Sequence, residues 1–575
     1  MFRRAFCALA LLLGSSAQAQ TFIVNSAGDS NDLVDGLLTL RGAIAQANAV
    51  VGHDTILLPA DIKINTALGY SITDDVTIAG VQGKEARLTS SASVLFNINS
   101  DEISVQLENL SLKGTRDNAG VLACGEVMAS NVAATDFFEA FKLCQYPVGL
   151  TIELSRFHNN RFFLEADLNK GHEASVLINR SVMENSGAFI RSKDADLNVK
   201  MLRSRYIAEN AEMLVLGSAS LQIVDSALWQ AKKRTLLRGI PDGYTSPGAT
   251  MPNYYFPTLK IVQSTITGNK TNHPVIWTEG TTLEISHSTI ADNANNNGPL
   301  ILLDGYSDSY TGVTHGSAEI DHTIIDRFHS TEAPILLNKV DLQARYSFIP
   351  VINKKTGSES VSLDSTTALY QGSSAHLGGL ITSFSHLPYY LPEIGSPVVD
   401  AGDPLVVAGV NGVPVEEQRS SKRVLGTAID IGSTELNHEP VLDEEGLRAD
   451  YQDKVDKLED PDADIWLDLD DYVTDPDGHA ILGIVFHSQS ELTYTPGPNI
   501  VEGHQLAFKA GVMGIVILEE TGLSAIKELD WRPKTTSAKA ANSSGGGGSL
   551  PLTILGAIAL LGMGRSRRRR VLAKP

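Results

Sequence analysis

Along most of this chain apolar residues alternate with polar ones at i and i+2 in short stretches, and the stretches recur. Residues 259–269 and 283–293 share Leu, Ile, Ser, Thr, Ile and Asn at equivalent positions, an offset of 24. The same template fits around Ser155, Ser181, Ser204, Ser226, Thr323 and Ser347, with weaker copies centred on Leu110 and Val132. Successive marker positions lie 22 to 26 residues apart, except for two steps of 38 and 35 that contain insertions at residues 232–257 and 304–316.

A repeat of this length is compatible with a leucine-rich horseshoe, a helical array or a β-helix. A period of two is a strand period, and no repeat sustains the i, i+3, i+4 spacing of a helix. Leucine-rich repeats require several leucines per unit, whereas Ile, Val, Leu, Met and Phe interchange here. The pattern therefore predicts an all-β chain whose main domain is a right-handed parallel β-helix of about ten or more coils. Equivalent residues of successive coils then stack, so the marker serines form an internal hydroxyl ladder and the Asn positions an amide ladder at the bends.

The position before each marker reads Arg180, Arg203, Asp225, Gln263, His287, His322 and Tyr346 up the stack. If the markers face inward this row faces outward, with the insertions as walls of a groove. His287 and His322 are expected to be neighbours, with Asp225 two rungs from His287 and Arg203 below it. These four are the candidate catalytic residues, since acid–base chemistry on a glycan needs carboxylates or a basic group converging on one outer face. A solvated polar row is the alternative reading of the same positions.

A solenoid needs its terminal coils covered, because an open end exposes strand edges and core. Residues 39–48 (Thr-Leu-Arg-Gly-Ala-Ile-Ala-Gln-Ala-Asn) read as a short amphipathic helix that plugs the first coil. They resemble the "CSLREAI…AN" start of many secreted bacterial β-helices, although the Cys of that pattern is missing before Thr39 and Gly42 stands where it has Glu. Residues 395–403 (Gly-Ser-Pro-Val-Val-Asp-Ala-Gly-Asp) and 424–435, ending Asp430-Ile431-Gly432-Ser433-Thr434-Glu435, resemble the closing motif of the choice-of-anchor family of secreted β-helix proteins. The resemblance implies closure of the solenoid shortly after its last coil.

Both ends of the chain carry addresses. Met1-Phe2-Arg3-Arg4, an apolar stretch at 5–13 and the small-x-small triplet ending at Ala19 form a secretory signal peptide over residues 1–19, a substrate for signal peptidase. At the other end a spacer over 536–549 contains Gly545, Gly546, Gly547 and Gly548. Residues 550–575 follow, with an apolar run to Gly564 and then Arg565, Arg567, Arg568, Arg569 and Arg570. Fifteen apolar residues reach about 22 Å as a helix, short of a roughly 30 Å hydrocarbon core. The tail resembles the GlyGly-type sorting signal of Gram-negative bacteria. That resemblance implies cleavage near the glycines by a rhomboid-type sorting protease and a mature form at the cell surface or secreted. An ordinary single-pass anchor is the alternative.

Removing both ends takes away eight basic residues and no acidic one, so the net charge moves from −21 to −29. A chain that acidic is not expected to bind nucleic acid, nor an anionic polysaccharide without a metal or a local basic patch. Cys7 leaves with the signal, and Cys124 and Cys144 remain about one coil apart in an oxidising compartment, which predicts a disulfide.

The β-helix domain is expected to occupy residues 20–437, and the composition changes after it. Residues 443–477 contain fifteen Asp or Glu, beginning in an acidic helix or linker, and strand-like runs follow, so 438–535 reads as a small β-sandwich-like module. Its "DDYVTDPDG" stretch resembles bacterial cadherin-like or immunoglobulin-like surface modules. Such modules can bind Ca2+, which makes Asp468, Asp470, Asp471, Asp475 and Asp477 candidate ligands; a solvated acidic face is the alternative and favoured reading, and no other cofactor is expected. An EF-hand is excluded, since Ile465 occupies the position that needs Gly.

Walker, nucleophile-elbow, CxxC and His-rich metal motifs are missing from the sequence. Two function classes remain. The first is a non-enzymatic surface, adhesion or binding protein with a glycan or surface ligand. The second is a carbohydrate-active enzyme, a polysaccharide lyase or hydrolase, that uses the outer face of the helix. The sequence favours the first.

Overall fold

The computed structural model describes residues 19–31, 36–81, 85–145, 148–168, 172–193, 195–244, 253–307, 313–355, 359–363, 374–382, 386–457, 466–488, 505–507, 511–519 and 521–531. Residues 1–18, the glycines Gly545 to Gly548 and the apolar run at 550–564 lie outside the described residues, while Ala19 is exposed. Among the described residues no helix is long and apolar enough to cross a membrane.

The first unit is a parallel β-solenoid of about eleven turns. A typical coil contributes three strands, as in Ser220–Val224, Ala227–Trp229 and Leu237–Ile240, and each pairs in parallel with its counterpart in the next coil. Register is kept over long rows. Leu221, Leu259, Leu283, Ala318 and Leu342 are successive partners, and Ile223, Ile261, Ile285, Ile320 and Ala344 form the row two residues on. All ten side chains are buried, so the alternation read from the sequence is the division between core and surface.

Between the first and second strands of a coil the chain bends through one residue in the left-handed region. Arg180, Arg203, Asp225, Gln263, His287, His322 and Tyr346 have φ of 49°, 49°, 48°, 50°, 49°, 44° and 41°. The left-handed conformation costs a non-glycine residue roughly 1–2 kcal/mol, and the marker hydroxyl compensates by satisfying two backbone groups at the bend. In Ser226 the hydroxyl donates to the Val224 carbonyl at 2.7 Å and accepts the Ser204 backbone N–H at 3.1 Å. Ser181, Ser204, Ser264 and Ser347 repeat the arrangement. The hydroxyl ladder is therefore internal, as expected, but its links run from backbone N–H to hydroxyl. The amide ladder is present at the next bend, where Asn269 Nδ2 donates to Asn293 Oδ1 at 2.8 Å.

The amphipathic segment forms a helix over Leu40–Ala47, N-capped by the Thr39 hydroxyl, which accepts the Gly42 N–H at 3.0 Å. Its Leu40, Ala43, Ile44 and Ala47 enter the core of the first coils. Arg41 ties it down, bonding Asp29 at 2.8 Å and lying over the Tyr70 ring. The sulfurs of Cys124 and Cys144 are bonded, with Cα atoms 5.1 Å apart.

The closing motif departs from its expected place. Residues 387–418 and 424–435 fold back along the side of the late coils, and Val398, Ile431 and Tyr390 build a separate small core with Ala291, Ile324 and Phe348. Backbone and side-chain bonds fix this cover. Ser433 N–H donates to Thr289 Oγ1 at 3.0 Å, and Tyr390 donates to Asp292 at 2.7 Å.

The second unit comprises residues 382–386, 419–423 and those from Leu436 onward. It contains the acidic helix Glu444–Asp456 and an antiparallel sheet of Ile481–Ser488, Gly511–Glu519 and Ser524–Trp531. Two further antiparallel pairs join Val441–Leu442 to Val473–Thr474 and Trp466–Asp468 to Gln505–Ala507. Leu447, Leu467, Leu469, Ile484, Ile515 and Ile517 form its core.

Candidate functional site

The row before the markers projects outward from the coil, but from a bend and not from a strand. An exposed-strand reading fails there because a left-handed residue breaks the two-residue alternation. The row then divides in two. His287 and His322 are neighbours, with rings stacked 4.8 Å apart, and Tyr346 stacks on His322 at 5.0 Å. Both histidines are nearly fully buried. The Asp403 N–H donates to His322 Nε2 at 2.9 Å and the Gly432 N–H to the His322 carbonyl at 2.9 Å, so the closing segment covers this ring.

Arg203 and Asp225 border a cleft of about 390 Å³ instead. One wall is the ends of three adjacent strands, with Lys200, Arg203, Asp225 and Gln263; the other is the closing segment at Pro414, Val415 and Glu416. The insertions do not make this wall. Their hairpins, Asp242–Tyr244 with Asn253–Tyr255 and Tyr306–Ser307 with Thr314–His315, join through an aromatic cluster in which Tyr254 lies 4.8 Å from Tyr306.

Within the cleft, Gln263 Nε2 donates to Asp225 Oδ1 at 2.5 Å. The Arg203 guanidinium stands between two carboxylates, 3.8 Å from Asp225 and 3.7 Å from Glu416. Burial pushes the Asp225 carboxyl up to about 6, helped by Glu417 and Glu416 and opposed by Arg203 and Gln263. A carboxyl at that value exchanges protons readily near neutral pH, which suits acid–base work as well as hydrogen bonding. Burial and the Arg203 charge also lower the neighbouring Arg180.

A second cluster escaped the sequence reading. Lys142 Nζ lies 2.9 Å from Glu165 and 3.5 Å from Glu139, on neighbouring coils. Burial first, then Glu165, raises the Glu139 carboxyl. Beside it Phe138 and Phe162 meet edge to face at 6.2 Å, with Arg161 over the Phe138 ring. The signal was the separation of 23 between Lys142 and Glu165, one repeat, at positions off the marker row.

Of the five aspartates proposed for Ca2+, Asp475 alone joins a compact group of metal-competent side chains, with His479 and Glu519. Asp477 pairs with His438 at 3.0 Å, Asp471 is exposed, Asp468 is half-buried, and Asp470 lies outside the described side chains.

No protein-family model matches this chain, and no curated protein sequence matches it. Solved structures of similar course include a rhamnogalacturonan lyase, 10% identical with a TM-score of 0.34, covering 63% of this chain and 91% of that one. A PL6 alginate lyase in complex with a trisaccharide is 12% identical with a TM-score of 0.31, covering 66% and 92%. The catalytic domain of a GH87 α-1,3-glucanase is 13% identical with a TM-score of 0.27, covering 60% and 68%. These neighbours are glycan-processing proteins by their own descriptions, and at this level of likeness no residue or substrate transfers from them to this chain.

Proposed function

We propose that this chain is an extracytoplasmic carbohydrate-binding β-helix protein and that the cleft of Arg203, Asp225, Gln263 and Glu416 is its glycan site. The observation that carries the reading is Arg203, held 3.7 to 3.8 Å from two carboxylates, longer than a hydrogen bond. A sugar hydroxyl inserted there can accept from the guanidinium and donate to Asp225 or Glu416. Two acids facing Lys200 and Arg203 leave the cleft without a strong charge bias, and the chain as a whole is acidic. Neutral glycans therefore fit better than polyuronates.

Asp225 supports a second reading of the same cleft. A carboxyl raised to about 6 beside Glu416 is placed to act as a general acid or base, which would make the protein a carbohydrate-active enzyme. A panel of neutral and uronic acid glycans, assayed for binding and for new reducing or unsaturated ends, separates the readings. Binding of a neutral glycan that Arg203→Ala weakens at least tenfold supports the site. Turnover abolished by Asp225→Asn makes it catalytic. No binding across the panel removes the proposal.

The location rests on the two terminal signals. Signal peptidase would cut after Ala19 and a rhomboid-type protease near Gly545 to Gly548, so the mature protein reaches the surface or the medium. Mass spectrometry of the mature termini tests this, and an intact arginine tail on the mature chain overturns it.

A further inference from the structure

We infer that the second unit binds a borderline divalent cation of the Zn2+ class through Asp475, His479 and Glu519. The three residues come from two turns. Asp475 and His479 bracket the tight turn at Gly478, where φ is +81°, and Glu519 ends the central strand of the antiparallel sheet, with its N–H and carbonyl closing the turn to Leu523. One ligand atom from each lies within 4.8 Å of the others. His479 Nδ1 is 3.6 Å from Asp475 Oδ1 and 3.6 Å from Glu519 Oε2. Ligands placed tetrahedrally at 2.0–2.1 Å from an ion stand about 3.4 Å apart, close to the His479–Glu519 spacing, and Asp475 would turn its other oxygen toward the ion.

The hydrogen bonding divides each carboxylate into a held oxygen and a free one. Asp475 Oδ1 accepts the backbone N–H groups of Asp477 at 2.9 Å and of His479 at 3.0 Å. Glu519 Oε1 accepts from Asn437 Nδ2 at 2.7 Å and from the Thr521 hydroxyl. By contrast Asp475 Oδ2, Glu519 Oε2 and His479 Nδ1 are buried and take no hydrogen bond from the surrounding protein, while the two carboxyls face each other closely enough to share a proton. Glu519 is fully buried and the Asp475 side chain is 2% exposed, so bulk water does not reach their oxygens. Two buried carboxylates facing one another are costly unless they share a proton or pair with a protonated imidazole, and a dication removes both the repulsion and the unsatisfied lone pairs. The bonds to the held oxygens orient the ligands, as second-layer partners do in metal sites.

The donor set selects the kind of ion. Ca2+ takes six to eight oxygen ligands, whereas this group offers two carboxylates and an imidazole. Imidazole with carboxylate suits Zn2+ and its neighbours, and three protein ligands leave a position for water or for a group from outside. This inference does not depend on the glycan reading of the first unit.

The test uses tag-free full-length protein in detergent, stripped with EDTA and dialysed against Zn2+ alone, with metal content read by mass spectrometry and affinity by indicator competition. The expected result is one Zn2+ per chain. His479→Ala and the isosteric Glu519→Gln each should weaken it at least about 100-fold, since even second-layer changes cost 10–100-fold. Asp477→Asn, outside the group, should leave it unchanged. Co2+ added to the unaltered protein should give visible d–d absorption, a readout that needs no variant. Zn2+ below about a tenth of an equivalent with no Co2+ spectrum, the outcome if the two carboxyls merely share a proton, overturns the inference. So does binding of Ca2+ alone that His479→Ala leaves intact.

Discussion

The backbone N–H of Asp403 donates to Nε2 of His322 at 2.9 Å, across 81 residues of sequence. An Nε2 that accepts leaves the ring proton on Nδ1, which lies 3.0 Å from Asp321 Oδ1 without the alignment of a hydrogen bond. A residue read as catalytic thus serves as the pin that holds the closing segment against the solenoid, sandwiched between His287 and Tyr346.

His322→Ala should cost about 2–4 kcal/mol, from a lost buried acceptor and a cavity in an aromatic stack. Gly402→Ala should act on the same contact, because an added Cβ falls 2.3 Å from Ile429 Cγ2 and 2.8 Å from His322 Cδ2. Denaturant unfolding measures both. Proteolysis should cut the 387–418 stretch faster in either variant, and unchanged cleavage would show that the pin does not hold it.

Each marker serine hydroxyl satisfies a carbonyl in its own coil and an N–H in the coil before. Ser226→Ala and Ser264→Ala should therefore destabilise by about 1–3 kcal/mol each, the cost of an unsatisfied buried group. Thr282→Ala, at an exposed strand position, should change stability by less than about 0.5 kcal/mol. Equal effects at the two kinds of site would remove the ladder from the account of stability.

Asp225 has a folded-state carboxyl raised to about 6 from an ordinary value of 3.8. The folded state then holds its proton more tightly than the unfolded one, so this stabilising contribution is complete below about pH 4 and is lost as pH rises through 6. The shift corresponds to at most about 3 kcal/mol. Urea midpoints of the unaltered protein and of Asp225→Asn, compared between pH 4 and 7, should converge at the acid end and favour the variant at neutral pH. A constant difference across that range contradicts the assignment.

The Cys124–Cys144 bond spans 20 residues of sequence between adjacent coils. Closing a loop of that size contributes about 3 kcal/mol in the chain-entropy view. The double replacement by Ser should lower stability by about 2–4 kcal/mol, seen first as faster amide exchange in the coils at Ala119–Ala123 and Glu139–Leu143.

The period, the strand alternation, the inward serines and the capping helix were legible in the sequence because a solenoid repeats one local problem. Every coil must bury the same face and satisfy the same bend, so Leu259 and Leu283 announce their stacking by their spacing alone. Neighbours along the axis are also neighbours modulo one repeat, which is why the pairing of His287 with His322 and the one-coil separation of Cys124 and Cys144 could be read in advance. What covers the outside is not periodic. Residues 412–416 against Arg203 and Asp225, Asp403 against His322, and Glu519 beside Asp475 and His479 are brought together by chain reversals with no counterpart in a local pattern. Those reversals decide which polar residues stay in water and which become buried, oriented and chemically useful. The sequence by itself determined the coil, and the tertiary structure decided where on it a ligand can sit.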